Sequence, residues 1–175
     1  ALSAELAADD PTDDPADDCR CEIIVVDGAS RDGSAETARA LGARVLTATR
    51  GRGNQLRAGA DAARGEVMWF LHADCHPPAG AVRAIAAALE GRPELVGGNF
   101  RLIFDGGKRF DRWLTGFYAW FRSFGLYYGD SGIFVRRIAY RECGGFRPIA
   151  LMEDYDFTRR LERLGATVCI DDPPL

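Results

Sequence analysis

The chain has 175 residues, of which 47% are hydrophobic and 27% are charged, and its formal net charge at pH 7 is −4. That length is typical of one domain with a full hydrophobic core, and the net charge excludes a generally basic, nucleic-acid-binding surface. No apolar run approaches the roughly 18–20 residues of a membrane span. Five scattered cysteines exclude a disulfide-stapled mini-domain and indicate reduced thiols, so we expect a cytoplasmic protein.

Charge divides the chain into two parts. Residues 1–20 contain seven acidic side chains and one arginine, a net charge of −6, which leaves +2 for the remainder. A polar, acidic stretch with prolines cannot bury much apolar area, so we expect residues 1–20 to be solvated or disordered. An acidic interaction tail is the alternative. Residues 21–175 are predicted to form a single domain.

Short apolar runs alternate with helical segments along this domain. Extended segments are predicted at 22–26, 44–48, 66–71, 95–104, 131–135 and 167–170, and helices at 35–41, 54–64, 77–90, 109–124, 137–143 and 153–164. Such alternation predicts an α/β fold with right-handed βαβ crossovers and a mostly parallel sheet with helices on both faces. Ligands bind beyond the carboxyl ends of strands in such sheets, so the residues after each strand are the candidates for chemistry.

The first predicted strand ends at Asp27 and Gly28. An aspartate in this position can accept hydrogen bonds from a base or ribose, and glycine lets a ligand approach the backbone. The same residues also suit a βα turn with capping Asp and Ser side chains, so both interpretations stay open. The sequence contains neither a P-loop motif nor a G-x-G-x-x-G after a strand, so a Rossmann dehydrogenase is unsupported.

The third predicted strand ends in His72-Ala73-Asp74. A carboxylate at this place suits a hard divalent cation that holds phosphates. In extended geometry His72 points the same way as Asp74. Together with Cys75 and His76 these residues also suggest a zinc site, although their spacing matches no standard zinc motif.

Adjacent carboxylates, Glu153 and Asp154, begin the last predicted helix. Acidic residues in the first turn favour the positive end of the helix dipole, which is a purely structural explanation. The functional explanation is that one of them acts as a general base.

Aromatic residues are concentrated between positions 110 and 128. Spacings of three and four put a set of them on one helical stripe: Trp113, Phe117, Trp120, Phe121 and Phe124. Core packing or a homodimer face is one interpretation. The other is an acceptor platform or a peripheral contact with the inner membrane surface, with Arg109, Arg112 and Arg122 near lipid headgroups.

Three blocks, in this order, resemble an inverting glycosyltransferase of family 2 with the A-type nucleotide-sugar fold. The block that begins at Asp27 resembles the family's nucleoside-binding D-D-G-S-x-D-G, with Gly28 in place of the second aspartate. His72-Ala73-Asp74 resembles the D-x-D metal motif, with histidine in place of the first aspartate. Glu153-Asp154 resembles the E-D motif, whose aspartate acts as the catalytic base.

Further segments carry the same resemblance. Residues 50–59 resemble the segment that lines the diphosphate, and residues 128–137 and 143–146 resemble the acceptor-side strand and the G-G-F before E-D. The variants D-G-x-S, L-H-A-D and G-D-x-G-x-F-V-R-R are similar to a bacterial subgroup, the selenodomain-associated transferases linked to arsenosugar biosynthesis. The family's first strand, of the type V-S-V-I-I-P-x-x-N-E, and its C-terminal end have no counterpart here, so we expect a fold without them.

The resemblance implies inverting, metal-dependent transfer of a sugar from a nucleoside-diphosphate sugar to a hydroxyl of an acceptor that the sequence does not name, with Mg or Mn as cofactor. The residues that it implies are Asp27, Ser30, Asp32, Arg50, Arg52, Arg57 and His72 for the nucleotide, Asp74 for the metal, Asp154 as base, and Asp130 and Glu153 on the acceptor side. It also implies a nucleotide-binding part at about 21–91 and an acceptor part at about 92–175. A non-catalytic nucleotide-sugar-binding domain and a sugar-phosphate nucleotidyltransferase are the alternatives.

Overall fold

The computed structural model describes residues 21–104 and 106–171 of the chain. These ranges contain six strands and six α-helices, which alternate except that two helices precede the last strand. The strands are β1 (Ile24–Asp27), β2 (Arg44–Thr47), β3 (Val67–Phe70), β4 (Leu95–Phe100), β5 (Ile133–Arg136) and β6 (Ala166–Ile170). The helices are α1 (Ser34–Ala40), α2 (Arg52–Ala62), α3 (Ala81–Leu89), α4 (Arg109–Arg122), α5 (Arg137–Glu142) and α6 (Glu153–Leu164). The acidic segment of residues 1–20 lies outside the described residues, and its expected disorder stays a prediction.

The described strands form two sheets. β1 pairs in parallel with β2, and a separate four-stranded sheet has the order β3-β5-β4-β6. β4 and β6 are parallel, but β5 runs antiparallel to both β3 and β4. The expectation of one mostly parallel sheet is therefore corrected to a parallel pair and a mixed sheet, whereas the α/β class is confirmed. The physical reason is that β5 starts where β3 ends, with Ile133 opposite Phe70, and has to run back alongside it.

Alternating side chains of β5 supply both halves of the core. Ile133 and Val135 pack on one side with helices α2, α5 and α6, and Phe134 packs on the other with α3. All three side chains are fully buried. This period of two is the geometry of a strand with a helix layer on each face. The helices therefore cover both faces of the mixed sheet, as the sequence predicts.

The aromatic stripe of α4 lies on the surface. Of its five members, Trp113, Trp120 and Phe124 are 57–58% exposed, Phe117 is 36% exposed and Phe121 is half-buried, and α4 has no buried residue. The core-packing interpretation of this stripe is therefore wrong for the part of the chain that the structure describes. Among those residues, no helix is both long and apolar enough to cross a membrane.

Candidate functional site

Polar side chains from four separate segments meet beside the end of β3 and form what we call the polar cluster: Arg52, His72, Asp130, Glu153 and Asp154. Arg52, the first residue of α2, places its Nε 3.0 Å from Oε1 of Glu153 and its Nη2 4.0 Å from Oδ2 of Asp154. The same Nη2 lies 2.6 Å from Nε2 of His72. His72 Nδ1 in turn lies 2.8 Å from Oδ1 of Asp130. The block after β3 and the pair that begins α6 are thus parts of one site, joined by Arg52.

The carboxylate of Asp154 is held in a fixed orientation. Its Oδ2 accepts a hydrogen bond from the Gly129 backbone N–H at 2.8 Å, and its Oδ1 accepts one from the Tyr155 N–H at 2.7 Å. The residue is 7% exposed. An ionised carboxylate has about four lone-pair positions, so these two bonds orient Asp154 and leave it able to accept a proton.

Glycine at position 129 allows this arrangement. A Cβ built there would lie 2.6 Å from Nε2 of His72 and 3.2 Å from Oδ2 of Asp154. Gly129 belongs to a 3-10 turn, Gly129–Ser131, that runs directly before β5. Sequence reasoning did not single out Gly129, although its place in Tyr128-Gly-Asp-Ser-Gly132 was the available signal.

Two local features bring Arg52 to the carboxylates. A Cβ on Gly53 would overlap the Arg147 carbonyl oxygen, so glycine lets the start of α2 approach the segment before α6. Met152, just before Glu153, has a φ of +64°, a left-handed conformation in which a non-glycine residue is strained. The buried Glu153, 3% exposed, then faces the Arg52 guanidinium.

Three potential metal ligands lie together after β3. One ligand atom from each of His72, Asp74 and Cys75 lies within 4.8 Å of the others. Imidazole, carboxylate and thiol groups all bind divalent metal ions once the thiol and carboxyl are deprotonated, so these residues fit such an ion. Burial raises the pKa of the Cys75 thiol. His76, which the sequence grouped with them, is not in this cluster.

The predicted nucleoside residues lie at the carboxyl ends of β1 and β2. A groove of about 690 Å³ there is lined by residues 28–31 and 48–50, which include Ser30 and Arg50. Asp27 accepts hydrogen bonds from the backbone N–H groups of Ala29 and Ser30, at 3.1 Å from Oδ2 in both cases. Hydrogen bonding by Ser30, through its side chain and its backbone, lowers the pKa of Asp27. Asp27 therefore closes the turn after β1, but the N-cap of α1 is Gly33 and no side chain caps that helix, so the helix-capping part of the turn interpretation is wrong. The nucleoside role stays a prediction.

Asp32 and Gln55 make hydrogen bonds close to this groove but do not line it. The Ser34 hydroxyl donates to Oδ1 of Asp32 at 2.6 Å, and this bond is the main cause of the lowered pKa of Asp32. Gln55 Nε2 donates to the Val26 carbonyl oxygen at 3.0 Å. A Cβ on Gly28 would lie 3.1 Å from the Gln55 amide, which is closer than an ordinary contact. Glycine therefore fits beside Gln55 at this position, where the family motif has its second aspartate.

Of the three predicted diphosphate arginines, the structure brings one to the polar cluster. Arg52 is in the cluster and Arg50 is at the groove. Arg57 instead pairs with Asp61 one turn further along α2, at 3.8 Å. Because α2 begins at Arg52, a helix period of 3.6 residues puts Arg57 on a different side from Arg52.

A second cavity, of about 400 Å³, lies between α4, β4 and β6 and was not predicted. Its lining includes Tyr128, Ser131 and the buried side chains of Asn99 and Tyr127. The ring of Tyr128 stacks on Tyr155, with centroids 6.0 Å apart, next to Asp154 in sequence. The cavity is therefore lined by residues that adjoin the polar cluster.

Arg122 is also not where the lipid-headgroup interpretation put it. Its side chain is 15% exposed, and its Nε and Nη2 donate to Asn99 Oδ1 at 2.5 Å and Thr167 Oγ1 at 2.7 Å. Its guanidinium lies over the ring of Tyr127, 4.4 Å from the centroid. Arg122 therefore ties α4 to the sheet and is not available to lipid, which corrects that expectation.

The solved structures that this chain resembles in fold include glycosyltransferases in complex with nucleotide sugars. One is a mannosyltransferase from Pyrobaculum calidifontis in complex with GDP-Man and Mn²⁺, with a TM-score of 0.63 and 20% identity over 87% of this chain and 45% of that one. Another is glucosyl-3-phosphoglycerate synthase from Mycobacterium tuberculosis in complex with Mn²⁺, UDP-Glc and phosphoglyceric acid, with a TM-score of 0.60 and 21% identity over 85% of this chain and 57% of that one. The chain thus spans about half the length of these proteins.

The sequence match defines the family. The sequence model of the family described as "Glycosyl transferase family 2" matches residues 9–153, which is most of the chain. The protein belongs to glycosyl transferase family 2. No curated protein matches it significantly.

Proposed function

We propose that the chain catalyses inverting transfer of a sugar from a nucleoside-diphosphate sugar to an acceptor hydroxyl. The observation that carries this proposal is the polar cluster itself, in which Arg52 links Asp154 to His72 beside a group of metal ligands. A general base and a site for a diphosphate and its counter-cation then face one space. That combination is what displacement of a nucleoside diphosphate by an alcohol needs.

On the donor side, the groove at the ends of β1 and β2 takes the nucleoside. Ser30 and Arg50 line it, and the Asp27 and Asp32 carboxylates hold its turn. Arg52 supplies positive charge beside the diphosphate. Asp74 and His72 would hold the divalent ion, Mg or Mn, and that ion would supply positive charge to offset the charge that develops on the leaving group.

On the acceptor side, Asp154 is the general base. The acceptor oxygen forms a bond to the anomeric carbon while the bond from that carbon to the diphosphate oxygen breaks, and the hydroxyl proton passes to Asp154. One displacement of this kind inverts the anomeric carbon. The Gly129 and Tyr155 N–H groups aim the carboxylate, and general-base catalysis contributes roughly 10²–10⁴ in rate.

The expected acceptor-side residues, Asp130 and Glu153, are best assigned as positioning residues. Asp130 pairs with His72, and Glu153 pairs with Arg52. Both pairs lie in the polar cluster, so these carboxylates orient the groups that contact the donor. The cavity beside Tyr128 is the space that we assign to the acceptor.

The finer assignments belong to the same proposal. The motif variants favour the bacterial selenodomain-associated subgroup, with a cytoplasmic protein whose nucleotide part is at about 21–91 and whose acceptor part is at about 92–175. The exposed aromatic stripe of α4 supports a homodimer face or a peripheral contact with the inner membrane surface. Arg109 and Arg112 are exposed beside it.

The test is Asp154→Asn, assayed with UDP- and GDP-sugars in the presence of Mn²⁺. We expect unchanged donor binding and a turnover reduced by roughly 10²–10⁴, because only the proton acceptor is lost. Asp61→Asn, which alters an exposed carboxylate on α2, is the matched control and should retain full turnover. Turnover by Asp154→Asn at the wild-type rate would rule out the assigned base. The anomeric configuration of the product, determined by NMR, tests inversion.

A further inference from the structure

The group of His72, Asp74 and Cys75 differs chemically from an all-oxygen site. It offers one nitrogen, one carboxylate oxygen and one sulfur within 4.8 Å of one another. A turn creates it: the Cys75 N–H donates to the His72 carbonyl oxygen at 3.0 Å, which brings the cysteine back beside the histidine. The sulfur also faces the Asp130 carbonyl oxygen at 3.7 Å, so Cys75 lies against the same loop as the polar cluster.

A second, independent observation concerns the orientation of His72. Its Nδ1 lies 2.8 Å from the carboxylate of Asp130. Metal-binding histidines characteristically donate the other ring N–H to a carboxylate or carbonyl, which fixes the tautomer and makes the free nitrogen more basic. With Nδ1 protonated toward Asp130, Nε2 carries the lone pair. That nitrogen now accepts from Arg52 Nη2 at 2.6 Å.

From these contacts we propose that Cys75 is a direct thiolate ligand of the metal ion, and that the site selects a transition-metal dication over Mg²⁺. The inference refines the metal site of the proposed function. Mg²⁺ prefers oxygen ligands and near-octahedral geometry, whereas thiolate and imidazole favour softer ions such as Co²⁺ and Zn²⁺. Ligation deprotonates Cys75, and its proton leaves to solvent.

Binding of the ion also moves Arg52. The dication takes the Nε2 lone pair with which Arg52 is now engaged, and like charges repel. The side chain is 56% exposed, so it is free to turn away from His72. Arg52 then keeps its contact with Glu153 or turns to an anionic diphosphate.

The experiment is titration of the whole chain with Co²⁺, followed by near-ultraviolet absorption. Wild-type protein should develop a thiolate-to-cobalt charge-transfer band, and Cys75→Ser should lose it. Cys143→Ser, which changes another half-buried cysteine, is the matched control and should retain the band. Asp130→Asn should retain the band but weaken Co²⁺ affinity by roughly 10–100-fold, as loss of a carboxylate that orients a metal-binding histidine does. Absence of the band in the wild type, or its persistence in Cys75→Ser, overturns the inference.

A second measurement needs no substitution. Bound Zn²⁺ should protect Cys75 but not Cys143 from alkylation, as located by peptide mass spectrometry, and equal modification of both with and without Zn²⁺ contradicts thiolate ligation.

Sugar transfer by the wild type in Mn²⁺ separates the two proposals. Transfer without a cobalt band refutes the ligand assignment alone, and a cobalt band in a chain that transfers no sugar refutes the proposed function alone.

Discussion

Gly129→Ala tests whether stability and turnover require the close approach of the 3-10 turn to the polar cluster. The added methyl would lie 2.6 Å from Nε2 and 2.8 Å from Cε1 of His72, and 3.2 Å from Oδ2 of Asp154. Ordinary contacts begin at 3.4 Å, so His72 and the turn have to separate by about 0.8 Å. That movement also disturbs the hydrogen bond from the Gly129 N–H to Asp154.

The magnitude follows from the overlap. Over-packing of this kind costs roughly 1–3 kcal/mol in the free energy of unfolding. For a domain of this size each kcal/mol corresponds to about 2–4 °C in Tm, so Tm should fall by roughly 2–12 °C. Displacement of Asp154 from the acceptor hydroxyl should cost turnover as well, since an error of about 1 Å in a reacting group costs on the order of 100-fold.

Thermal unfolding and sugar transfer are measured on Gly129→Ala and on Gly116→Ala. At Gly116, inside α4, an added methyl meets nothing within 4 Å, so that control should be stabilised by roughly 0.5–1 kcal/mol and should transfer sugar normally. Wild-type Tm and turnover in Gly129→Ala would refute the geometry proposed for this turn. A lower Tm with wild-type turnover would show that the contact serves stability alone.

Three further substitutions test other parts of the structure by equilibrium unfolding. Met152→Gly should leave stability unchanged or raise it by about 1 kcal/mol, because it relieves the left-handed conformation at φ +64°, and a clear loss would contradict that strain. Asp27 has a lowered pKa, caused first by Ser30, so its contribution to stability is present above its ordinary pKa and is lost as pH falls through the lowered one. Asp27→Asn should therefore lose less stability on acidification than the wild type, and an identical pH profile would refute this linkage. Arg122→Met leaves the largely buried Glu162 without its cation. The free energy of unfolding should fall by about 3 kcal/mol, which is the lower end of the range for breaking a buried ion pair. A decrease below about 1 kcal/mol would show that Arg122 is not structural.

The sequence predicted the elements well because their signals are local. The predicted bounds of α6, residues 153–164, are those observed, since paired acids begin it and Gly165 follows its end. The direction of β5 had no such signal. It depends on where the 3-10 turn lies relative to β3, which is a long-range property of the fold. Apolar alternation is the same for parallel and antiparallel neighbours, so one mostly parallel sheet was the natural but incorrect expectation.

Single residues of the candidate site show the same limit. The family resemblance grouped Arg57 with Arg52, and the predicted helix began only at residue 54, so no relative orientation of the two side chains could be predicted. The observed start at Arg52 turns the two side chains apart. Cys75 was set aside because linear spacing did not match a zinc motif, yet a single turn brings it beside His72. Spacing rules apply to regular elements, whereas these potential ligands lie in the turn after β3 has ended.

The charges of the polar cluster give a physical reason why the proposed substrate would bind together with a metal ion. Four carboxylates, from Asp74, Asp130, Glu153 and Asp154, lie in or beside the cluster, and Arg52 is the one guanidinium that contacts it among the described residues. Such a surplus of negative charge repels a diphosphate, which is itself an anion. A dication held by His72, Asp74 and Cys75 would reduce this surplus and would leave Arg52 able to face the diphosphate. Such a cation would also offset the repulsion between the Asp154 carboxylate and an anionic leaving group.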